Sequence, residues 1–102
     1  MEIIMKYGLD DKKINKIVSV FRKYAGVQKA VLFGSRARGD FKYNSDIDIA
    51  VYTDGRSLTG LQSDLDEAVG IYKFNLINID DIKNEKLRQN IEKEGEEIYK
   101  TG

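Results

Sequence analysis

Two short β-rich runs limit the folds open to this 102-residue chain. Residues 29–33 (KAVLF) are apolar and short, which is typical of a strand buried on both faces. In residues 47–52 (IDIAVY) the apolar side chains alternate, so Ile47, Ile49 and Val51 should share one face and Asp48 should lie on the other. The two runs therefore predict two strands of a small sheet.

The rest of the chain alternates between helical and strand-like spacing. Helices are predicted at residues 10–24, 57–69 and 84–100, and a third strand at residues 73–79. Asp10 is the expected N-cap of the first helix, and Ser57 or Thr59 that of the second. This order predicts an α/β (α+β) fold, a small mixed β-sheet flanked by helices, in a single domain over residues 1–102.

The chain contains no cysteine and no histidine. Disulfides, thiolate nucleophiles and imidazole ligands are thereby excluded, so a bound metal would be held by oxygen atoms, which favours Mg²⁺ or Mn²⁺ over Zn²⁺. The sequence shows no run long and apolar enough for a membrane span, and its beginning lacks the features of a signal peptide. A cytoplasmic protein without a membrane partner is expected.

The zero net charge conceals a difference between two parts of the chain. Residues 12–45 carry nine Lys/Arg and one acid, whereas residues 46–102 carry seven Lys/Arg and thirteen acids. A basic segment that leads into carboxylates suits an anionic ligand that arrives with a divalent cation. The alternative is that the two parts form solvated faces of opposite sign.

Gly34 and Ser35 follow the first strand, where the chain can turn into a short helix. Glycine allows a ligand to approach the backbone, and Ser35 offers a hydroxyl and an N-cap beside N–H groups that attract phosphate oxygens. Arg36 and Arg38 follow, and either could grip a triphosphate. The alternative is an ordinary connection from strand to helix.

Asp46 and Asp48 stand two residues apart at the beginning of the second strand. Side chains at this spacing point to the same face of a strand, so the two carboxylates should converge. Their mutual repulsion would be reversed by a divalent cation between them. In the alternative, Asp46 caps a turn and Asp48 pairs with Arg36 or Arg38.

The run FGSRARG, followed by SDIDIAV, carries a resemblance to a known family. Gly34-Ser35, ten residues and then Asp46-Ile47-Asp48 resemble the motif of the DNA polymerase β-type nucleotidyltransferases, above all their minimal (MNT) branch. The resemblance extends over nearly the whole chain. It implies the polymerase β-type nucleotidyltransferase fold without the further domains of larger family members.

The resemblance also implies roles for particular residues. The Gly34-Ser35 turn would bind the triphosphate of ATP or another NTP, together with Arg36, Arg38 and Ser45. Asp46 and Asp48 would ligate Mg²⁺ (or Mn²⁺) for in-line attack on the α-phosphate. These two carboxylates and the residue at a third position would form the catalytic set.

The third position departs from the family pattern. The family places another carboxylate on the next core strand, and Asn75 occupies that place in KFNLINI here. An amide oxygen can ligate Mg²⁺, but it carries no charge and cannot accept a proton from an attacking hydroxyl. Asn75 could equally close a hydrogen bond at the strand edge.

Minimal nucleotidyltransferases typically pair with a HEPN-domain protein. The resemblance implies a hetero-oligomeric antitoxin that transfers AMP from ATP to a tyrosine of a HEPN ribonuclease toxin. A second hypothesis is a catalytically impaired nucleotide-binding antitoxin that neutralises its partner by non-covalent contact. A nucleic acid is not expected as a direct ligand, because the sequence has no aromatic-interleaved platform and its second part is acidic.

Overall fold

The computed structural model describes residues 5–101 of the chain. Residues 1–4 and 102 lie outside this range, and with residues 1–4 lies part of the segment that was expected not to be a signal peptide. The described elements are, in chain order, β1 (Met5–Lys6), β2 (Leu9–Asp10), α1 (Asp11–Arg22), β3 (Val27–Phe33), α2 (Ser35–Arg38), β4 (Ile47–Thr53), α3 (Leu61–Val69), β5 (Phe74–Asn78), a 3₁₀ turn (Ile79–Asp81), α4 (Glu85–Glu94) and β6 (Glu96–Lys100).

A four-stranded sheet in the order β5-β4-β3-β6 organises the fold. Strand β3 runs antiparallel to both β4 and β6, whereas β5 runs parallel to β4. Strands β1 and β2 form a separate antiparallel pair. The predicted fold class, a small mixed sheet flanked by helices, is therefore confirmed.

Helices α1 and α3 cover one face of this sheet. Ile47, Ile49 and Val51 of β4 are buried there, as the alternation in the sequence predicted. They pack in one cluster with apolar side chains of both helices, among them Ile17, Val20, Phe21, Leu61, Leu65 and Val69. The other face carries a smaller cluster of Val31, Ala50, Ile79 and Ile91, which α4 partly covers.

The beginnings of two predicted helices have different outcomes. Helix α1 begins as expected, with the carboxylate of Asp10 accepting from the backbone N–H of Lys13 at 2.8 Å. Helix α3 begins later than predicted, with Gly60 as its N-cap. The Ser57 hydroxyl instead accepts from the backbone N–H of Thr59 at 3.2 Å and lies 2.8 Å from the Thr59 hydroxyl, so both side chains belong to a turn before the helix.

The predicted helix over residues 84–100 is wrong in its second half. Helix α4 ends at Glu94, and residues 96–100 form the edge strand β6. A Cβ on Gly95 would collide with the carbonyl oxygen of Ile91 and with Val31, so the chain passes close to β3 at this point. The free edge of β3 then provides hydrogen-bond partners that a continued helix would have left unused.

The longest helix in the described part of the chain, α1, has 12 residues and is amphipathic. Crossing a bilayer requires about 20 apolar residues. None of the helices between residues 5 and 101 can therefore span a membrane.

Candidate active site

Asp46, Asp48 and Asn75 meet on the face of the sheet that α4 leaves open. Strands β4 and β5 are parallel, and their register places Asn75 directly beside Asp48. The amide Nδ2 of Asn75 donates to Oδ1 of Asp48 at 2.8 Å and lies 3.3 Å from Oδ2 of Asp46. The two carboxylates thus converge on one atom.

The convergence of these carboxylates bears on metal binding. Two carboxylates that accept from one amide group can also bind one cation. The amide hydrogens and a cation both present positive charge to the space between the carboxylates. Their oxygens are ligands that Mg²⁺ and Mn²⁺ prefer. Within residues 5–101, no group of three or more acidic, His or Cys side chains gathers at one point. The residues present therefore fit a divalent cation through two carboxylates rather than three.

Gly34 brings the Gly-Ser turn against Asp48. Strand pairing sets Phe33 opposite Asp48, and Gly34 follows with φ 76° and ψ −156°, a conformation that other residues rarely adopt. A Cβ at Gly34 would collide with the carboxylate of Asp48. Both the backbone conformation and the space beside Asp48 require glycine here.

Ser35 is the first residue of α2, and Gly34 is its N-cap, so the prediction of Ser35 as N-cap is wrong by one position. Helix geometry leaves the first N–H groups of α2 without partners inside the helix. Ser35 follows directly after Gly34, whose α-carbon lies next to the Asp48 carboxylate. Phosphate oxygens and a carboxylate-bound cation could therefore share this corner of the sheet.

Arg36 is buried, with 1% of its surface exposed. Its guanidinium donates to the carbonyl oxygen of Tyr7 at 3.0 Å and to that of Ser45 at 2.8 and 3.0 Å. Its Cζ also lies 5.5 Å and 5.3 Å from the ring centroids of Phe41 and Tyr72. This placement corrects the prediction that Arg36 grips a triphosphate, because its donors point at carbonyl groups inside the protein.

The role of Arg36 is instead to hold the chain near the carboxylates. By binding the Ser45 carbonyl it links α2 to the residue that precedes Asp46. A buried guanidinium needs acceptors for its N–H groups, and here the backbone carbonyls of Tyr7, Tyr43 and Ser45 supply four hydrogen bonds. The sequence offers one signal for this role, which is the concentration of aromatic residues in the segments that surround Arg36.

Arg38 differs from Arg36 in that 47% of its side chain is exposed. It lies 3.5 Å from Asp40 and 3.8 Å from Glu94, two ion pairs of the weak, solvent-screened kind. It also lines a cavity of about 160 Å³ together with Phe33, Gly34, Leu87, Asn90, Ile91 and Glu94. Arg38 is thus available to an anion that binds at Gly34.

Ser45 takes part in the turn that precedes β4. Its hydroxyl accepts from the backbone N–H of Lys42 at 2.8 Å, and its own N–H donates to the carbonyl of Lys42. Both hydrogen bonds lie within the turn, so neither supports the predicted role of Ser45 in nucleotide binding. Ser45 nevertheless lies beside Asp46, and both residues line a second cavity.

That cavity, of about 330 Å³, was not foreseen from the sequence. It lies between the turn that ends at Ser45 and the segment before β5, and its lining is Tyr43, Asn44, Ser45, Asp46, Ile71, Tyr72 and Lys73. The available signal was the presence of Tyr43 and Ile71 in segments that are otherwise polar or rich in turns. We refer to it below as the Tyr43–Ile71 cavity.

Tyr52 lies further along the same face of β4. Burial, and then the negative charge of Glu92, raise the pKa of Tyr52 above its ordinary value, while Arg88 acts in the opposite direction. The Nζ of Lys29 lies 4.3 Å from the centroid of the ring. Tyr52 is therefore protonated near neutral pH, and its ring packs against the smaller cluster beneath α4.

Comparison with known proteins agrees with the motif and the fold. A Methanocaldococcus jannaschii protein, named as an inferred protein adenylyltransferase, is 45% identical over 47 residues, which is 44% of this chain and 47% of that protein. The matched segment thus spans about half the length of this relative.

Solved structures are similar over most of the chain. A toxin–antitoxin structure with AMP-PNP contains a chain with a TM-score of 0.72 and 28% identity, over 86% of this chain and 73% of that one. The MntA-HepT toxin–antitoxin structure gives a TM-score of 0.65 and 26% identity, over 87% and 71%.

The match that decides membership is to a family model. The model described as polymerase beta, nucleotidyltransferase matches residues 15–102, which include the Gly-Ser turn, both aspartates and Asn75. The chain belongs to the polymerase beta nucleotidyltransferase family.

Proposed function

We propose that this chain is a Mg²⁺-dependent nucleotidyltransferase that transfers AMP from ATP to a hydroxyl group of a partner protein. The observation that carries the proposal is the convergence of Asp46 and Asp48 directly beside the Gly34-Ser35 turn. A triphosphate and a divalent cation need these two kinds of group next to each other.

The residues of this chain would act together on the nucleotide. Ser35 and the first N–H groups of α2 hold phosphate oxygens, and the exposed guanidinium of Arg38 pairs with the triphosphate. Asp46 and Asp48 hold Mg²⁺ (or Mn²⁺), which when bound would neutralise the charge that develops on the phosphates. The packed strand β4 keeps both carboxylates fixed in position.

We propose further that the partner is a HEPN-domain protein and that AMP transfer silences it, so that this chain acts as an antitoxin. Support comes from the likeness to the MntA-HepT structure and to a toxin–antitoxin structure that contains AMP-PNP, an ATP analogue. The name of the archaeal relative points to transfer of the same group to protein. Such a pair would form a hetero-oligomer in the cytoplasm, where MgATP is available.

The test is to incubate the chain with ATP, Mg²⁺ and the HEPN-domain protein encoded nearest to it in its own genome. Intact-protein mass spectrometry should find an AMP-sized addition on the partner. The double variant Asp46→Asn/Asp48→Asn should fold normally and give no addition. Failure of the wild-type protein to modify a partner that it binds would contradict enzymatic transfer.

One observation favours a second candidate function, a binding protein that neutralises its partner without chemistry. The Nδ2 of Asn75 donates to both carboxylates and so satisfies them without a cation. A third carboxylate in its place would supply a negative charge and a proton acceptor, and Asn75 supplies neither. Neutralisation that persists in the Asp46→Asn/Asp48→Asn variant would support this second function.

Asn75→Asp separates the two candidates further. In the transfer assay, a large gain over the wild-type rate would indicate that the amide limits the chemistry. Equal rates would indicate that two carboxylates are sufficient. Asn75→Leu is the control, because it removes the hydrogen bonds without adding an acceptor or a charge.

A further inference from the structure

The Tyr43–Ile71 cavity has an unusual rim. Tyr43 is 90% exposed and Ile71 is 96% exposed, and these two are the exposed large hydrophobic side chains in the described part of the chain. Both line the same cavity, on which the carboxylate-bearing residue Asp46 also borders. Large apolar side chains exposed around one concave site indicate binding rather than chance.

The floor of the cavity is held by packing and by a backbone hydrogen bond. The ring of Tyr72 packs against the main core cluster, and the buried guanidinium of Arg36 lies 5.3 Å from its centroid. The backbone beside it is also fixed, since the N–H of Ile47 donates to the carbonyl of Lys73 at 2.9 Å. A preformed floor under an exposed apolar rim lowers the entropic cost of binding a partner.

The position of the cavity indicates which part of the reaction it serves. In the sheet, β4 lies between β3 and β5, and Gly34-Ser35 follows β3. If this turn holds the triphosphate, the leaving pyrophosphate is on the β3 side of the carboxylates. In-line displacement requires the attacking oxygen to enter from the opposite side, which is the side of β5 and of the cavity before it.

The charges of the rim restrict the occupant. Lys73 is exposed and lines the cavity, and Lys42 is exposed in the adjoining turn. The acidic residue of the lining, Asp46, is one of the two that would hold Mg²⁺ in the proposed function, so the cation would offset its charge. An apolar rim next to lysines suits a protein segment that has an aromatic or aliphatic side chain and an acidic neighbour.

We propose that the Tyr43–Ile71 cavity docks the segment of the partner protein that carries the acceptor hydroxyl, an apolar segment with an acidic residue that pairs with Lys73. This inference rests on the proposed function. The acceptor oxygen forms a bond to the α-phosphorus of ATP, the bond from that phosphorus to pyrophosphate breaks, and the hydroxyl proton passes to water.

The experiment uses Tyr43→Ser/Ile71→Ser, and separately Lys73→Glu, with the same HEPN-domain protein and MgATP. Because hot-spot side chains dominate binding energy, the KM for the partner should rise about tenfold or more in each variant. Both replaced hydrophobic side chains are solvent-exposed, so folding should be unaffected. The affinity for MgATP, measured by calorimetry without the partner, should stay within about twofold.

Lys23→Glu is the matched control for Lys73→Glu. Lys23 is exposed at the C-terminal end of α1, beside the beginning of β3, whereas the cavity lies before β4 and β5 at the other end of these strands, and the charge change is identical. It should leave the KM for the partner unchanged. An equal effect of both reversals would indicate long-range electrostatics and overturn docking at Lys73.

The remaining outcomes are distinct. Unchanged partner kinetics in Tyr43→Ser/Ile71→Ser would overturn the inference while the proposed function stands. Loss of MgATP affinity would indicate that the cavity binds the nucleoside, and a change in self-association would indicate that it contacts a second copy of the chain. Either result would also overturn the inference. Absence of transfer by the wild-type protein would contradict the proposed function itself.

Discussion

The two faces of strand β4 differ in what surrounds them. On one face Ile47, Ile49 and Val51 are at most 1% exposed beneath helices α1 and α3. On the other, Asp48 and the preceding Asp46 remain open beside Asn75, and α4 covers only part of the sheet. The packed face stabilises the sheet, and this allows the other face to remain open to a ligand. Side chains of one strand therefore contribute to core packing on one face and to the candidate active site on the other.

The sharpest test of this separation substitutes two adjacent residues of β4. Ile49→Ala should lower the free energy of unfolding by about 2–5 kcal/mol, because it leaves a cavity in the main core. Asp48→Asn should change it by less than about 1 kcal/mol and yet abolish AMP transfer. Urea unfolding and the transfer assay measure the two effects, and a large loss of stability in Asp48→Asn would break the comparison.

Arg36 and Arg38 of helix α2 differ in the same way, since Arg36 is buried and Arg38 is half exposed. Arg36→Met should cost about 3 kcal/mol, because buried carbonyl groups lose their donor and each such loss costs about 1 kcal/mol or more. Arg38→Met should alter stability little, since its ion pairs are exposed, but should weaken MgATP binding. Denaturant unfolding and calorimetry distinguish the two, and similar effects would show that both arginines have the same role.

Gly34 and Gly39 both have positive φ, at 76° and 95°. Gly34→Ala should cost about 2 kcal/mol and reduce MgATP binding, because its conformation is nearly restricted to glycine and its Cβ would displace the Asp48 carboxylate. Gly39→Ala should cost only about 1 kcal/mol, since nothing lies within 4 Å of its Cβ. Normal MgATP binding by Gly34→Ala would show that the turn can tolerate a side chain.

The smallest effect is expected on the packed side, where the hydroxyl of Tyr24 donates to the carboxylate of Asp64. This hydrogen bond, burial and the charge of Asp64 raise the pKa of Tyr24 above its ordinary value of 10.0. Its contribution to stability is therefore present below pH 10 and is lost as the pH rises through the folded-state pKa. Wild type should be slightly more stable than Tyr24→Phe near neutral pH, and the difference should shrink above pH 10 in urea unfolding.

The parts of the fold that the sequence predicted are those with a strong local period. The alternation in IDIAVY anticipated which side chains of β4 enter the core, and Asp10 was correctly expected to cap α1. The spacing of Gly34 and Asp48 pointed to a shared site, and the strand pairing of Phe33 with Asp48 brings them together.

The errors fall where a distant segment supplied the decisive contact. Residues 96–100 have helical spacing, yet the unpaired edge of β3 turns them into a strand. Arg36 has the sequence context of a phosphate ligand, yet carbonyl groups of Tyr7 and Ser45 surround it. Neither set of partners is adjacent in the sequence, so no local pattern could reveal them.

The sequence by itself determined the chemistry available to this protein: oxygen ligands only, two carboxylates at a spacing of two, and a glycine before a serine. It also determined which side of β4 is apolar, because strand geometry fixes the alternation of side chains. The tertiary structure decided which arginine is exposed, that Asn75 lies within hydrogen-bond distance of both aspartates, and that Tyr43 and Ile71 flank one cavity. These depend on strand pairing and on packing between segments far apart in the chain, whose energies belong to the assembled fold and not to any local stretch.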